Sequence, residues 1–92
     1  MIARIATFNH LDPEALDPEA IERLRGILRS TPGYVAGYHV RNADTGKAFS
    51  IAIYESPDAI RAAGKALAAR PADQRVGVNP DEVEICTEVY EF

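Results

Sequence analysis

Few side chains in this sequence of 92 residues can do chemistry, and they fall in four places. Gly37, His39 and Arg41 alternate within Tyr34-Val35-Ala36-Gly37-Tyr38-His39-Val40-Arg41, Asn9 and His10 follow the first apolar run, Tyr54 closes a second one, and Cys86 is the single cysteine. Histidine is the residue type that exchanges a proton near neutral pH, which makes His39 a candidate general base. The competing reading is a hydrogen-bonded histidine near a strand end. Asn9 is either an amide donor and acceptor facing a ligand or a turn residue bonding nearby backbone. Arg41 is either the counter-ion of a bound anion or a solvated strand end. Tyr34, Tyr38 and Tyr54 offer aromatic surface, for a planar ligand or for packing against a second copy of the chain. His10 belongs to an exposed loop or to a pocket mouth. Cys86 reads as a small inert hydrophobe, and a lone cysteine makes neither an internal disulfide nor a CxxC motif.

Several other chemistries are disfavoured. Two histidines and one cysteine on separate strands or loops, with no carboxylate at a matching spacing, do not make a metal centre. No glycine-rich loop joins a strand to a helix N-terminus, so no phosphate cradle is expected. With 10 basic against 14 acidic residues the net charge is −4 and Lys and Arg do not cluster, which argues against nucleic acid as a partner. No apolar run approaches the ~20 residues of a membrane span. Met1 to Phe8 begins directly as a strand, without a signal-peptide core, and the expected location is the cytoplasm. The length fits one domain over residues 1–92.

The elements that must position these residues follow from pattern and punctuation. Ile2 to Phe8 is rich in β-branched and aromatic residues and predicts strand β1. Asp12-Pro13 and Asp17-Pro18 are two competing helix starts, of which the second should win, because Ala20, Ile21, Leu24, Ile27 and Leu28 then fall at helical spacing. This helix, α1, should end near Ser30, before Pro32 and Gly33. Strands β2 (Tyr34 to Arg41) and β3 (Lys47 to Glu55) flank Ala43-Asp44-Thr45-Gly46 and predict a hairpin. Ser56-Pro57-Asp58 starts α2, with Ile60, Ala63, Gly64 and Leu67 as a thin apolar stripe. A loop from Pro71 to Pro80 leads to β4, Glu82 to Phe92. The order βαββαβ predicts a ferredoxin-like α+β fold with a four-stranded antiparallel sheet of order 4-1-3-2, the central β1/β3 pair being the expected exception, and both helices on one face. The other face would be bare and apolar, and a second copy is the simplest cover, so a homodimer is expected.

Hairpin register assigns the faces. With Gly46 as the bulge of a three-residue loop, Ala43 opposes Lys47, Arg41 opposes Phe49, His39 opposes Ile51 and Gly37 opposes Ile53. Phe49, Ile51 and Ile53 form the most continuous apolar set and are placed under the helices, with Gly37, His39 and Arg41. Arg4 is costly to bury unpartnered, so β1 should turn Ala3, Ile5, Thr7 and Asn9 to the helices and Arg4 to the dimer side, near Glu84 or Glu88. Val83 and Ile85 of β4 should lie under the helices. Tyr34, Ala36, Tyr38, Ser50, Ala52 and Tyr54 then meet the partner. Gly64 costs ~1 kcal/mol relative to alanine inside a helix, and with Gly37 opposite it, either a close approach or a cavity is expected. The expected pocket joins His39 and Asn9 as catalytic groups to Arg41, Phe49, Ile51, Gly37 and Gly64 as its lining. A slip of one residue would invert the faces.

Pro32-Gly33-Tyr34-Val35-Ala36-Gly37-Tyr38 opening β2, and Ile53-Tyr54-Glu55-Ser56-Pro57-Asp58-Ala59-Ile60 leading from β3 into α2, resemble the Pro-Gly opening and aromatic-Glu-Ser helix entry of the antibiotic biosynthesis monooxygenase family of dimeric α/β barrels. The likeness covers nearly the whole chain, with Tyr54 where the family commonly has Trp. The resemblance implies a monooxygenase without metal, flavin or other cofactor. It implies a small aromatic, polyketide-like substrate that is deprotonated to an enolate and reduces O₂ directly. Asn9 resembles the β1 asparagine of heme-degrading members, but the chain has neither their pocket Trp nor any histidine after position 39, so heme degradation is not expected. The alternatives are a homodimer that binds a small molecule without transforming it, and a purely structural homodimer.

Overall fold

The computed structural model describes residues 1–69 and 79–92. Strand β1 (Ile2–Phe8) leads through a 3-10 turn (Pro13–Ala15) into α1 (Pro18–Ser30); β2 (Tyr34–Arg41) and β3 (Ala48–Tyr54) form the hairpin, and α2 (Pro57–Ala68) precedes β4 (Glu82–Cys86). Both Asp-Pro signals are used. The Asp12 carboxylate accepts from the Glu14 amide at 3.0 Å and caps the 3-10 turn, while Asp17 accepts from Glu19 at 3.1 Å and caps α1. Ser56 caps α2 by accepting from the Ala59 amide at 3.3 Å. Most of the Pro71–Pro80 loop lies outside the described residues. No helix among the described residues is long and apolar enough to cross a membrane.

The sheet order is β2-β3-β1-β4, with every neighbouring pair antiparallel. The fold is ferredoxin-like α+β. The expected exception at β1/β3 does not occur: the α1 crossover makes β1 and β2 parallel, the hairpin reverses β3 against β2, and β3 must therefore oppose β1. β4 is shorter than its sequence pattern because its partner runs out. Cys86 pairs with Ala3, so the residues after it pass the beginning of β1, and Tyr90 and Phe92 are exposed.

The hairpin loop has four residues, not three. The Asn42 amide donates to the Lys47 carbonyl at 2.8 Å and the Gly46 amide to the Asn42 carbonyl at 2.8 Å, with Gly46 at φ 79°. Arg41 consequently pairs with Ala48, His39 with Ser50 and Gly37 with Ala52, one residue away from the expected register. A bulge at Val35 then lets Tyr34 pair with Tyr54 while Ala36 pairs with Ile53.

Paired residues share a face, and the helices decide which face is inside. Tyr54, Ala59 and Ala63 form the buried cluster, surrounded by Ile2, Leu28, Tyr34, Ala52 and Ile60. The inner face therefore carries Tyr54, Ala52 and Ser50 of β3 and Ile2, Arg4, Ala6 and Phe8 of β1. Phe49, Ile51, Ile53, Ile5 and Thr7 point the other way. For β1 and β3 this reverses the expected faces. For β2 it retains Gly37, His39 and Arg41 on the helix side but moves Tyr34 there with them, and β4 keeps Val83 and Ile85 inside as expected.

Gly33, at φ 86°, carries the chain from α1 into β2 directly against α2; a Cβ on it would stand 2.6 Å from that of Ala59. Strain and collision act together at this one position. Gly33→Ala should lower the unfolding free energy by about 2 kcal/mol or more, read from the midpoint of urea denaturation.

Candidate functional site

The inner face of the sheet is paved at its centre with small residues: Ala6 of β1, Ser50 and Ala52 of β3, and Gly37 of β2. The buried apolar residues are mostly small as well. Apart from Leu11 and Tyr54, the apolar residues buried among those described are all alanines. Larger and polar groups ring this floor. At one end, His39 Nδ1 lies 2.7 Å from Ser50 Oγ, and the Phe8 ring meets the imidazole edge-on at 6.4 Å and 65°. At the other end Tyr54 is buried and meets Tyr34 in a T-shaped contact at 5.8 Å and 78°. The Tyr34 hydroxyl lies over Gly37, where any side chain would collide with it. Between the two ends stands Arg4, half-buried and directly across from Ala52.

Burial raises the Tyr54 pKa above the ordinary tyrosine value of 10.0; the Arg4 charge opposes that shift and Tyr34 adds to it. The hydroxyl is thus held neutral. Because the folded pKa exceeds the unfolded one, Tyr54 contributes stability that is complete below pH 10.0 and is lost as pH rises through the folded value. Chemical denaturation across the alkaline range should show that loss, and Tyr54→Phe should flatten it.

The expected pocket is only partly assembled. His39 and Gly37 are on its floor. Phe49 and Ile51 are on the outer face, where Lys47 Nζ sits 5.6 Å from the centre of the Phe49 ring; the register shift put them there. Asn9 is exposed beyond the end of β1 and its backbone N–H donates to Asp81 Oδ2 at 2.7 Å, while Phe8 takes the expected place beside His39. Arg41 donates from Nε to the Leu11 carbonyl at 2.9 Å and so latches the strand to the segment after β1. Gly64 is exposed, and a Cβ there would meet no atom within 4 Å, so neither a helix nor a sheet approaches it closely. His10 packs against Gly46 and closes the hairpin turn. The expected Arg4–Glu84 pair does not form, because Glu84 pairs with Ile5 and lies on the outer face.

Ser50, Arg4, Tyr34 and Tyr54 are the site residues that the sequence pattern misplaced. Tyr34 is turned inward by the bulge at Val35 and Arg4 follows β1; for Ser50 and Tyr54 the signal is Asn42, whose side chain accepts from the amides of Asp44 at 2.9 Å and Thr45 at 3.4 Å. That local turn makes Asn42, not Ala43, the residue facing Lys47. Two open grooves, of about 320 and 350 Å³, lie away from this floor, one along Ile5, Thr7 and Glu82–Glu84, the other at the start of α2 around Gly33 and Asp58.

No protein-family model matches the sequence, and no curated protein matches it. Solved structures do. SnoaB, a cofactor-independent oxygenase from Streptomyces nogalater, superposes with a TM-score of 0.68 at 20% identity, over 98% of this chain and 94% of that one. An antibiotic biosynthesis monooxygenase gives 0.64 at 18% identity over 98% and 100%. MhuD, with two manganese protoporphyrin IX molecules bound per active site, gives 0.67 at 19% over 100% and 98%. The fold is accordingly that of the antibiotic biosynthesis monooxygenase structures, as the segments around Gly33 and Ser56 implied.

Proposed function

We propose that the protein is a cofactor-independent monooxygenase acting on a small aromatic, polyketide-like molecule, and that it works as a homodimer joined through the outer sheet face. The observation that carries the catalytic half is the 2.7 Å contact between His39 and Ser50 on a floor of small residues. Ser50 occupies Nδ1 and fixes the ring, which leaves Nε2 as the nitrogen available to a substrate proton. The remaining chemistry belongs to the substrate. A ring CH₂ flanked by a carbonyl loses a proton to His39 and becomes an electron-rich enolate, which passes electrons to O₂. The CH₂ ends as a carbonyl, one oxygen atom enters the product and the other leaves as water with the two hydrogens removed.

The dimer half rests on surface chemistry. The outer face joins Ala36, Tyr38 and Val40 of β2 to Phe49, Ile51 and Ile53 of β3 and Ile5 of β1, and Tyr38 and Val40 are 63% and 50% exposed in the single chain. An apolar sheet face of this kind is a liability for an isolated chain and a ready interface for a twofold pair.

The test is oxygen consumption on a panel of anthrones and hydroquinones, with mass spectrometry for the added oxygen atom. Uptake that depends on protein and survives treatment with chelator supports the proposal. Ligand binding across the panel without uptake overturns the catalytic half and leaves a small-molecule-binding homodimer.

A further inference from the structure

Among the described residues, Arg4 is the cation that a sheet strand turns toward the helices without a hydrogen bond or an ion pair. Arg23, Arg25 and Arg61 pair with carboxylates on their own helices or at a helix cap, Arg41 donates to a carbonyl and Lys47 rests over a ring. Those are surface or edge positions. Arg4 sits in the middle of an inner strand, facing the helices, half-buried, with neither a hydrogen bond nor an ion pair to any described residue. A guanidinium carries five N–H donors, and withdrawing it partly from water without acceptors is unfavourable. Its strand neighbours supply no side-chain acceptor: Ala52 lies across from it on β3, Ile85 across from it on β4, and Ile2 and Ala6 flank it on β1; the group that its charge acts on is the neutral Tyr54 hydroxyl.

We infer that Arg4 is the anion-binding residue of this site and that the ligand it takes is a planar aromatic molecule carrying an oxyanion, either a carboxylate or an ionised ring hydroxyl. The geometry favours that class over a free inorganic anion. Tyr54 stands two residues from Ala52 on the same strand and face, hence diagonal to Arg4, and Tyr34 packs on Tyr54. A ring lying on the Ser50–Ala52 floor thus has aromatic edges beside it and a guanidinium fork at its oxygen end. The neutral Tyr54 hydroxyl is a donor of the same polarity. The inference rests on the proposed site but not on turnover: it specifies what binds, whether or not oxygen follows.

The test compares three probes by calorimetry on the intact protein: 2-naphthoate, the ionised form of 4-nitro-1-naphthol, and the neutral isostere 2-naphthamide. The wild type should bind one or both anions roughly 10- to 100-fold more tightly than the amide, as a charge-assisted pair predicts. Whichever anion leads identifies the oxyanion. Arg4→Leu and Arg4→Gln should bring that ratio to about 1 while the melting temperature of the empty protein stays level or rises, because the guanidinium is not a packing element. Equal binding of the three probes, failure of all three to bind, a preference retained in both variants, or a fall in melting temperature in both variants overturns the inference. Preference without oxygen uptake sustains it and sinks the monooxygenase proposal alone.

Discussion

Exchanging His39 for alanine should reduce oxygen uptake by roughly 100- to 10,000-fold, the range expected when a positioned general base is removed. The imidazole is exposed and makes one hydrogen bond, to Ser50, and one edge-on ring contact, with Phe8. Its loss should therefore leave the melting temperature nearly unchanged, and the two measurements together separate chemistry from folding. Ser50→Ala is the companion experiment. Ser50 acts on the reaction through His39, so its removal frees the ring to rotate and should lower kcat by about 10-fold with little change in KM. Uptake that is indifferent to His39 would remove the base from the mechanism and return this side chain to a strand-end hydrogen bond.

The second large effect is expected on the opposite side of the sheet. Ile51 lies at the centre of the outer face, paired with Ile5 on one side and Tyr38 on the other. Ile51→Asp would place two carboxylates in the proposed interface, one from each copy, each between Ile5 and Tyr38 of its own sheet. The dimer dissociation constant should rise by roughly 1,000-fold or more. Sedimentation at micromolar concentration reads this directly: the unaltered protein should run at twice the 10.0 kDa of the chain and the variant at that mass. A wild type that sediments as stable single chains would refute the dimer, whatever the variant does.

Local signals in this sequence were legible because local physics decides them. Asp17-Pro18 and Ser56-Pro57 mark helix starts by supplying an acceptor and removing a donor where each is needed, and both helices begin there. The element order likewise fixes the ferredoxin-like arrangement. Face assignment failed for a different reason, since in a sheet every side chain's destination depends on one count of loop residues. Taking the loop as three residues and not four moved Phe49 and Ile51 into the site on paper and Ser50, Ala52 and Tyr54 out of it. Arg4 compounded the error. The rule that an unpartnered charge avoids the interior turned β1 over, yet this is the kind of rule that binding sites break. His39 and Gly37 kept their places because β2 itself was oriented correctly. Arg41 also lies on the expected face, although its guanidinium is committed to the Leu11 carbonyl.

The extra residue at Val35 has a consequence for anyone interpreting variants of β2. Downstream of it, even-numbered positions belong to the outer surface and odd-numbered ones to the inner; upstream, the parity switches, which is how an even-numbered tyrosine, Tyr34, comes to stand beside Tyr54. Were Val35 paired with β3 instead of bulged, uniform alternation would turn Tyr34 outward and away from Gly37, whereas deleting its codon would leave Tyr34 opposite Tyr54. The aromatic wall at that end of the floor thus depends on an irregularity of backbone spacing, and a substitution scan that alters side chains alone would not reveal it.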